Sequence, residues 1–307
     1  MRIAIVLALS ILMACGAWAQ APEAEAQQGM FYVIGMGTTP DLLTLRGAAA
    51  LEKCDMVLLE NESDAEFWAD LIEGKEVVLA YHAARYFYGI DPADLDTEEQ
   101  RNMAEQAAQV RQSIVDRVAQ AVAEGRTVGA LQWGDAMMYG ATWYLEMLPE
   151  DFPSEVIPGV GAMQAAAAAV KRNPVFGYDT NSVVVTQADF PGRTDLNEQL
   201  METGTSLVVF TMHFDYPGFF EQLARHYPLD TPVAVVEWAG IPGMENVIRS
   251  TVGEFVSEVD YENLAPDAHL LLVGKFLECG QGRIDGLAAG QAYVERMHGG
   301  MGDAGTE

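Results

Sequence analysis

The run MFYVIGMG, residues 30–37, is apolar at every position up to its first glycine. A strand with one wet face alternates apolar and polar side chains. An unbroken apolar run marks a strand covered on both faces, as in sheets flanked by helices on either side. Comparable runs recur at 55–60, 76–81, 127–133, 154–160, 182–186, 207–211, 233–238 and 269–274. Between them, helical spacing and good helix formers predict helices over 42–51, 65–72, 136–148, 162–171, 196–202 and 217–226. VIRSTVGEFVSEV (247–259) reads as a strand passing into a helix. The longest helix, over 97–124, has Thr97 as cap and Gln100 three residues on. Val110, Ile114, Val118 and Val122 form its apolar stripe, and Gly125 ends it. Strands alternating with helices predict an α/β protein with largely parallel sheets. A break near 149–158 divides the chain into two similar halves, 30–153 and 154–279, followed by a Gly-rich tail at 280–307. No internal repeat of 20–50 residues is visible.

Charge narrows the partners. Seventeen Lys and Arg stand against 45 Asp and Glu, a net charge of −28, which disfavours nucleic acid and anionic lipid surfaces. Residues 1–29 have the layout of an export segment followed by a linker. Met1-Arg2 supplies a short positive region, residues 3–14 an apolar run too short to span a bilayer, and ACGAWAQA the small residues of a processing site. Two processing routes remain open: cleavage after Ala19, or lipid attachment at Cys15 within LMAC, which resembles a bacterial lipobox. Either predicts a periplasmic location, in the second case as a lipoprotein. Cys54 and Cys279 could then pair or remain buried free thiols. The five histidines show no metal-ligand spacing, so no metal site is predicted.

Two short stretches invite a ligand. GMGTTPD (35–41) follows the first strand as a dinucleotide loop would, but Pro40 occupies the place of the third glycine, and Glu60 is the only acidic residue near the ribose position. WGD (133–135) ends another strand, with Asp135 placed to cap the helix predicted from Ala136. Tyr81, His82, Arg85, Tyr86 and Tyr88 cluster after the third strand, either as a loop with partly buried rings or as a wall for a flat ligand. No Gly-x-Ser-x-Gly elbow and no Walker sequence occurs.

Five segments in order carry more information than any one: FYVIGMGTTPDLLTLRGAAALEKCDMVLLE, GRTVGALQWGDAMMYGATWYLEML, SEVIPGVGAMQAAAAAV, SLVVFTMHF and DTPVAVVEWAGIPGMENVIRSTVGE. Together they resemble the tetrapyrrole methylase family, which includes the precorrin and uroporphyrinogen-III methyltransferases, over roughly residues 31–277. The resemblance implies two αβα domains, S-adenosylmethionine in the trough between them, a tetrapyrrole or corrinoid-like substrate, and a homodimer. Carried over by position, cofactor contacts fall on Thr38, Trp133, Gly134, Asp135, Met138, Gly161, Ala162, Met212 and Gly240. Asp41 and Glu60 are the acidic candidates for catalysis, with Tyr81 a weaker one.

The first loop is one residue shorter than the family's Gly-x-Gly-Pro-Gly-Asp-Pro, so its aspartate has no counterpart in register, although Asp41 lies close. Gly134-Asp135-Ala136 also lacks the proline that usually follows the aspartate. The shortened loop is similar to that of the branch that N-methylates peptide backbones, which keeps a peptide substrate as an alternative. A non-catalytic exported tetrapyrrole binder on the same fold is another.

Overall fold

The computed structural model describes residues 29–80, 87–140, 143–175, 182–187, 197–212, 214–278 and 286–299. Residues 1–28, which include Cys15 and were read as an export signal, the residues Tyr81, His82, Arg85, Tyr86 and His213, and Cys279 lie outside the described residues.

The first sheet comprises β1 (Phe31–Gly35), β2 (Met56–Leu59), β3 (Glu76–Leu79), β4 (Val128–Gln132) and β5 (Ser154–Ile157), all parallel, in the order β3-β2-β4-β1-β5. The unbroken apolar runs have the predicted cause: alternate residues enter opposite cores. Phe31, Val33, Met56, Leu58, Val128 and Ala130 pack on α4 (Glu98–Ala123) and α5 (Trp143–Met147). Tyr32, Ile34, Val57, Leu59 and Leu131 face α1 (Leu45–Lys53), Trp68 and Ile72 on the other side. Helix α4 carries the expected capping box, with Gln100 N donating to Thr97 Oγ1 and Thr97 N to Gln100 Oε1. It ends at Gly125, whose φ of 82° suits glycine.

The second sheet contains β6 (Val183–Gln187), β7 (Ser206–Phe210), β8 (Pro232–Glu237), β9 (Asn246–Thr251) and β10 (His269–Val273), in the order β6-β7-β10-β8-β9. Here the parallel expectation holds only for β6 with β7. The other three pairings are antiparallel. The connection 238–245 between β8 and β9 is too short for the helical crossover that a parallel neighbour needs, so β9 must fold back beside β8. One face packs on α8 (Tyr216–His226) and α9 (Phe255–Glu258), the other on α6 (Ala162–Val170).

Four local expectations are corrected. β5, placed by sequence at the head of the second half, is hydrogen-bonded to β1 and completes the first sheet. The chain crosses to the second sheet only at 158–161, before α6. The helix expected over 136–148 does not start at Ala136: 136–139 is a turn and α5 begins at Trp143. Within the segment read as a loose tail, Gly286–Gly299 is helical (α10), consistent with its Ala, Gln, Glu and Met content. The remaining helices are α2 (Glu62–Phe67), α3 (Ala69–Ile72) and α7 (Asn197–Met201). The segment predicted as one helix over 65–72 breaks at Trp68 into α2 and α3.

Candidate functional site

All five strands of the first sheet end on one edge. The chain leaving β1 enters α1 on one face, whereas that leaving β4 reaches α5 on the other. A crevice opens where neighbouring parallel strands part in this way. Gly37 and Gly134 meet across it, Gly134 N donating to Gly37 O at 2.8 Å and Gly37 N to Gly134 O at 3.1 Å. Both glycines have positive φ, 75° and 66°.

The crossover to the second sheet closes one side of the crevice, and only glycine fits there. A Cβ on Gly159 would lie 2.1 Å from Gly134 O, and one on Gly35 would lie 2.5 Å from Gly159 N. Asp135 ties this corner together. Its Oδ2 accepts from Gly159 N at 3.0 Å and its Oδ1 from Met137 N at 2.9 Å. The residue expected to cap a helix therefore caps a turn and binds the crossover instead.

The second domain arrives at the same place. Gly240, in the β8–β9 connection with φ 82°, has space only for hydrogen: a Cβ would meet Thr38 Oγ1 at 2.6 Å, Leu42 Cδ1 at 2.9 Å and Ala165 Cβ at 3.4 Å. Thr38 Oγ1 is buried and has no hydrogen-bond partner among the described residues. A buried hydroxyl without a partner is costly, which marks a position where a ligand atom is expected. Tyr139, with φ 59°, sets its ring 4.7 Å from that of Phe210 at the end of β7, a second contact between the two sheets' ends.

Thr38, Gly134, Asp135, Gly161, Ala162 and Gly240 are thus brought together. The Cβ position of Gly134 lies 3.5 Å from both Ala162 N and Gly161 Cα, and that of Gly161 lies 3.5 Å from Asp135 Cβ. Met138 is exposed in the 136–139 turn, and Met212 is half-buried just beyond β7. Asp41 is exposed on the 3-10 turn Pro40–Leu42, and Glu60 is half-buried at the end of β2. Trp133 points elsewhere: its indole N–H donates to Asp64 Oδ1 at 3.0 Å, against Phe67 and Trp68. Sequence reading missed Asp64, Phe67, Gly159, Tyr139 and Phe210. Only Asp64 had a local signal, since Asn61 and Asp64 form a capping box at the start of α2. Among the described residues no group of three His, Cys, Asp or Glu could hold a metal ion.

Over residues 30–256 the sequence matches the Tetrapyrrole (Corrin/Porphyrin) Methylases. The chain belongs to the tetrapyrrole methylase family. It is accordingly a methyltransferase that uses S-adenosylmethionine. Among its relatives is a precorrin-4 C(11)-methyltransferase of Pseudomonas aeruginosa, 29% identical over 254 residues, covering 80% of this chain and 90% of the relative. The fold matches that of a cobalt precorrin-4 methyltransferase with a TM-score of 0.66 at 23% identity, over 84% of this chain and 99% of the other. It also matches a uroporphyrin-III C-methyltransferase from Thermus thermophilus complexed with S-adenosyl homocysteine, with a TM-score of 0.60 at 20% identity, over 81% and 99%. In this methylase the residues at the crevice suit such a cofactor. Glycines let the backbone line the crevice without side chains, and Thr38 offers a hydroxyl with no partner among the described residues.

Proposed function

We propose that this methylase transfers a methyl group to a tetrapyrrole or corrinoid-like macrocycle, with the cofactor held in the corner made by Thr38, Gly134, Asp135, Gly161, Ala162 and Gly240. The observation that carries the reading is the orphaned Thr38 hydroxyl opposite Gly240, where the two domains close on one point. The match to a precorrin-4 methyltransferase over most of both chains supports the substrate class.

S-adenosylmethionine supplies an electrophilic methyl group on a sulfonium, open to in-line displacement. The chain's part is positioning and exclusion of water. Asp135 holds the crossover against the β4 end, so Gly159 and Gly161 keep their backbone at the crevice wall. Thr38 Oγ1 donates to or accepts from the bound ligand. Met138 and Met212 supply apolar contact on the two domains' sides. Asp41, on the 3-10 turn that follows β1, and Glu60, just past β2, are the carboxylates assigned to take a proton from the acceptor carbon.

Isothermal titration with S-adenosylmethionine and S-adenosylhomocysteine, followed by transfer of labelled methyl to a reduced tetrapyrrole, tests the reading. Absence of cofactor binding up to millimolar ligand would overturn it. Two further parts of the proposal have their own tests. Residues 1–29 act as an export segment, with cleavage after Ala19 or lipid attachment at Cys15. A reporter active only outside the cytoplasm, fused after residue 29, must then give signal. The mature chain is a homodimer, which sedimentation would contradict by giving a monomer mass.

A further inference from the structure

We propose that the Trp133 indole, locked by Asp64, is the surface on which the flat macrocycle stacks, and that it does not contact the cofactor. The inference rests on the tetrapyrrole reading above.

Trp133 leaves β4 beside Gly134 but leans away from the glycine corner, toward the neighbouring end of β2. Its ring centroid lies 4.6 Å from that of Phe67 and 5.0 Å from that of Trp68, and the Phe67 and Trp68 rings meet edge-on at 4.7 Å. Trp68 is 2% exposed and belongs to the core, while Trp133 keeps 43% of its surface open. One side of the indole is therefore backed by packed rings, and part of the remainder is exposed among the described residues.

Asp64 makes the arrangement rigid. It is 6% exposed, and its two oxygens have different tasks. Oδ2 accepts from Asn61 N at 3.0 Å and completes the cap of α2. Oδ1 accepts from the indole N–H, which fixes the ring about its own axis. Capping needs only the first oxygen, so the second bond serves Trp133. A large, half-open aromatic held by a buried carboxylate is preorganised for a π-surface. Asp64 is thus a positioning residue acting through Trp133.

The test uses the full chain, uroporphyrin III as macrocycle probe followed by its absorbance and by tryptophan quenching, and S-adenosylhomocysteine followed by calorimetry. Trp133→Leu should weaken porphyrin binding about tenfold, the upper range for one aromatic contact, and leave S-adenosylhomocysteine affinity within about twofold. Trp133→Phe should keep most of the porphyrin affinity. Asp64→Ala should reproduce the loss and again leave S-adenosylhomocysteine affinity within about twofold. A purely structural Asp64 would weaken both ligands together. If wild type binds the porphyrin and Trp133→Leu binds it equally, the platform alone is overturned. If Trp133→Leu instead loses S-adenosylhomocysteine, Trp133 serves the cofactor and the proposal falls. If wild type binds S-adenosylhomocysteine but no porphyrin, the substrate reading falls together with the platform.

Discussion

Two corners of one sheet edge are built by opposite means. At the β1–β4–β5 corner the backbone makes the surface: Gly35, Gly37, Gly134, Gly159 and Gly161 converge, with Gly240 entering from the second domain. At the β2–β4 corner side chains make it, as Trp133, Phe67 and Trp68 pack with Asp64. At Gly35, Gly37, Gly159 and Gly240 the glycine corner has no room for an added atom, whereas the aromatic corner can be trimmed by degrees. A backbone-walled site brings peptide groups to a polar ligand, and a ring-walled one offers area to an apolar face.

Substitutions should expose that contrast. The largest effect is expected at Gly159, where a Cβ would lie 2.1 Å from Gly134 O, a backbone atom with nowhere to move. Gly159→Ala should cost about 3 kcal/mol or more in urea unfolding, at the top of the range for overpacking. A loss under about 1 kcal/mol would show that the crossover yields and that the corner is not rigid. Gly240→Ala comes next. The left-handed φ alone costs about 1–2 kcal/mol, and the Cβ would crowd Thr38 Oγ1. Cofactor affinity by calorimetry should fall more steeply than stability.

Asp135→Ala removes the acceptor for Gly159 N and Met137 N. Its stability loss should be about 1 kcal/mol, as for a lost cap, with a larger drop in cofactor affinity. Equal losses would reduce Asp135 to a turn residue.

Acid provides a separate test in the second sheet. His269 donates from Nδ1 to Ala265 O at 2.6 Å and accepts at Nε2 from the Tyr216 hydroxyl at 2.5 Å, so the neutral ring fits and a doubly protonated one does not. Burial holds its pKa below the ordinary 6.5, against the raising effect of its bond to Ala265 O and the charges of Glu237 and Asp267. The unfolded chain therefore binds the proton more readily. The contribution of this histidine is complete above about pH 6.5 and is lost as pH falls toward the folded value. Denaturant midpoints should decline over that interval in wild type and decline less in His269→Gln.

The smallest change in stability is expected at Thr38. Thr38→Val removes a hydroxyl that has no partner, so the urea midpoint should stay level or rise slightly. Cofactor affinity should still fall several-fold. Unaltered affinity would place the ligand away from this hydroxyl and undo the glycine-corner assignment.

Much of this was legible before any coordinates. The double-sided burial of β1, β2 and β4 follows from their unbroken apolar runs, and α4 was bounded correctly by Thr97, Gln100 and Gly125. Five ordered segments indicated the family and named Thr38, Gly134, Asp135, Gly161, Ala162 and Gly240, which the fold then assembled. What the reading missed depends on contacts between distant residues. Asp64 and Trp133 stand 69 residues apart and meet because β2 lies beside β4. Trp133 was carried over by position from the family as a cofactor contact; its indole N–H donates to Asp64 Oδ1, toward the other corner. The antiparallel β8, β9 and β10 have apolar runs no different from parallel ones, because burial on both faces selects the same residues whichever way the neighbour runs.

The sequence by itself therefore determined the layers, the long helix, the glycines at the strand ends and the family, since each is written in local composition or in ordered motifs. Tertiary structure alone decided strand direction in the second sheet, the place of β5 in the first, the turn role of Asp135 and the pairing of Asp64 with Trp133. These depend on which segments become neighbours, and hydrophobic periodicity records how deeply a residue is buried without recording what it is buried against.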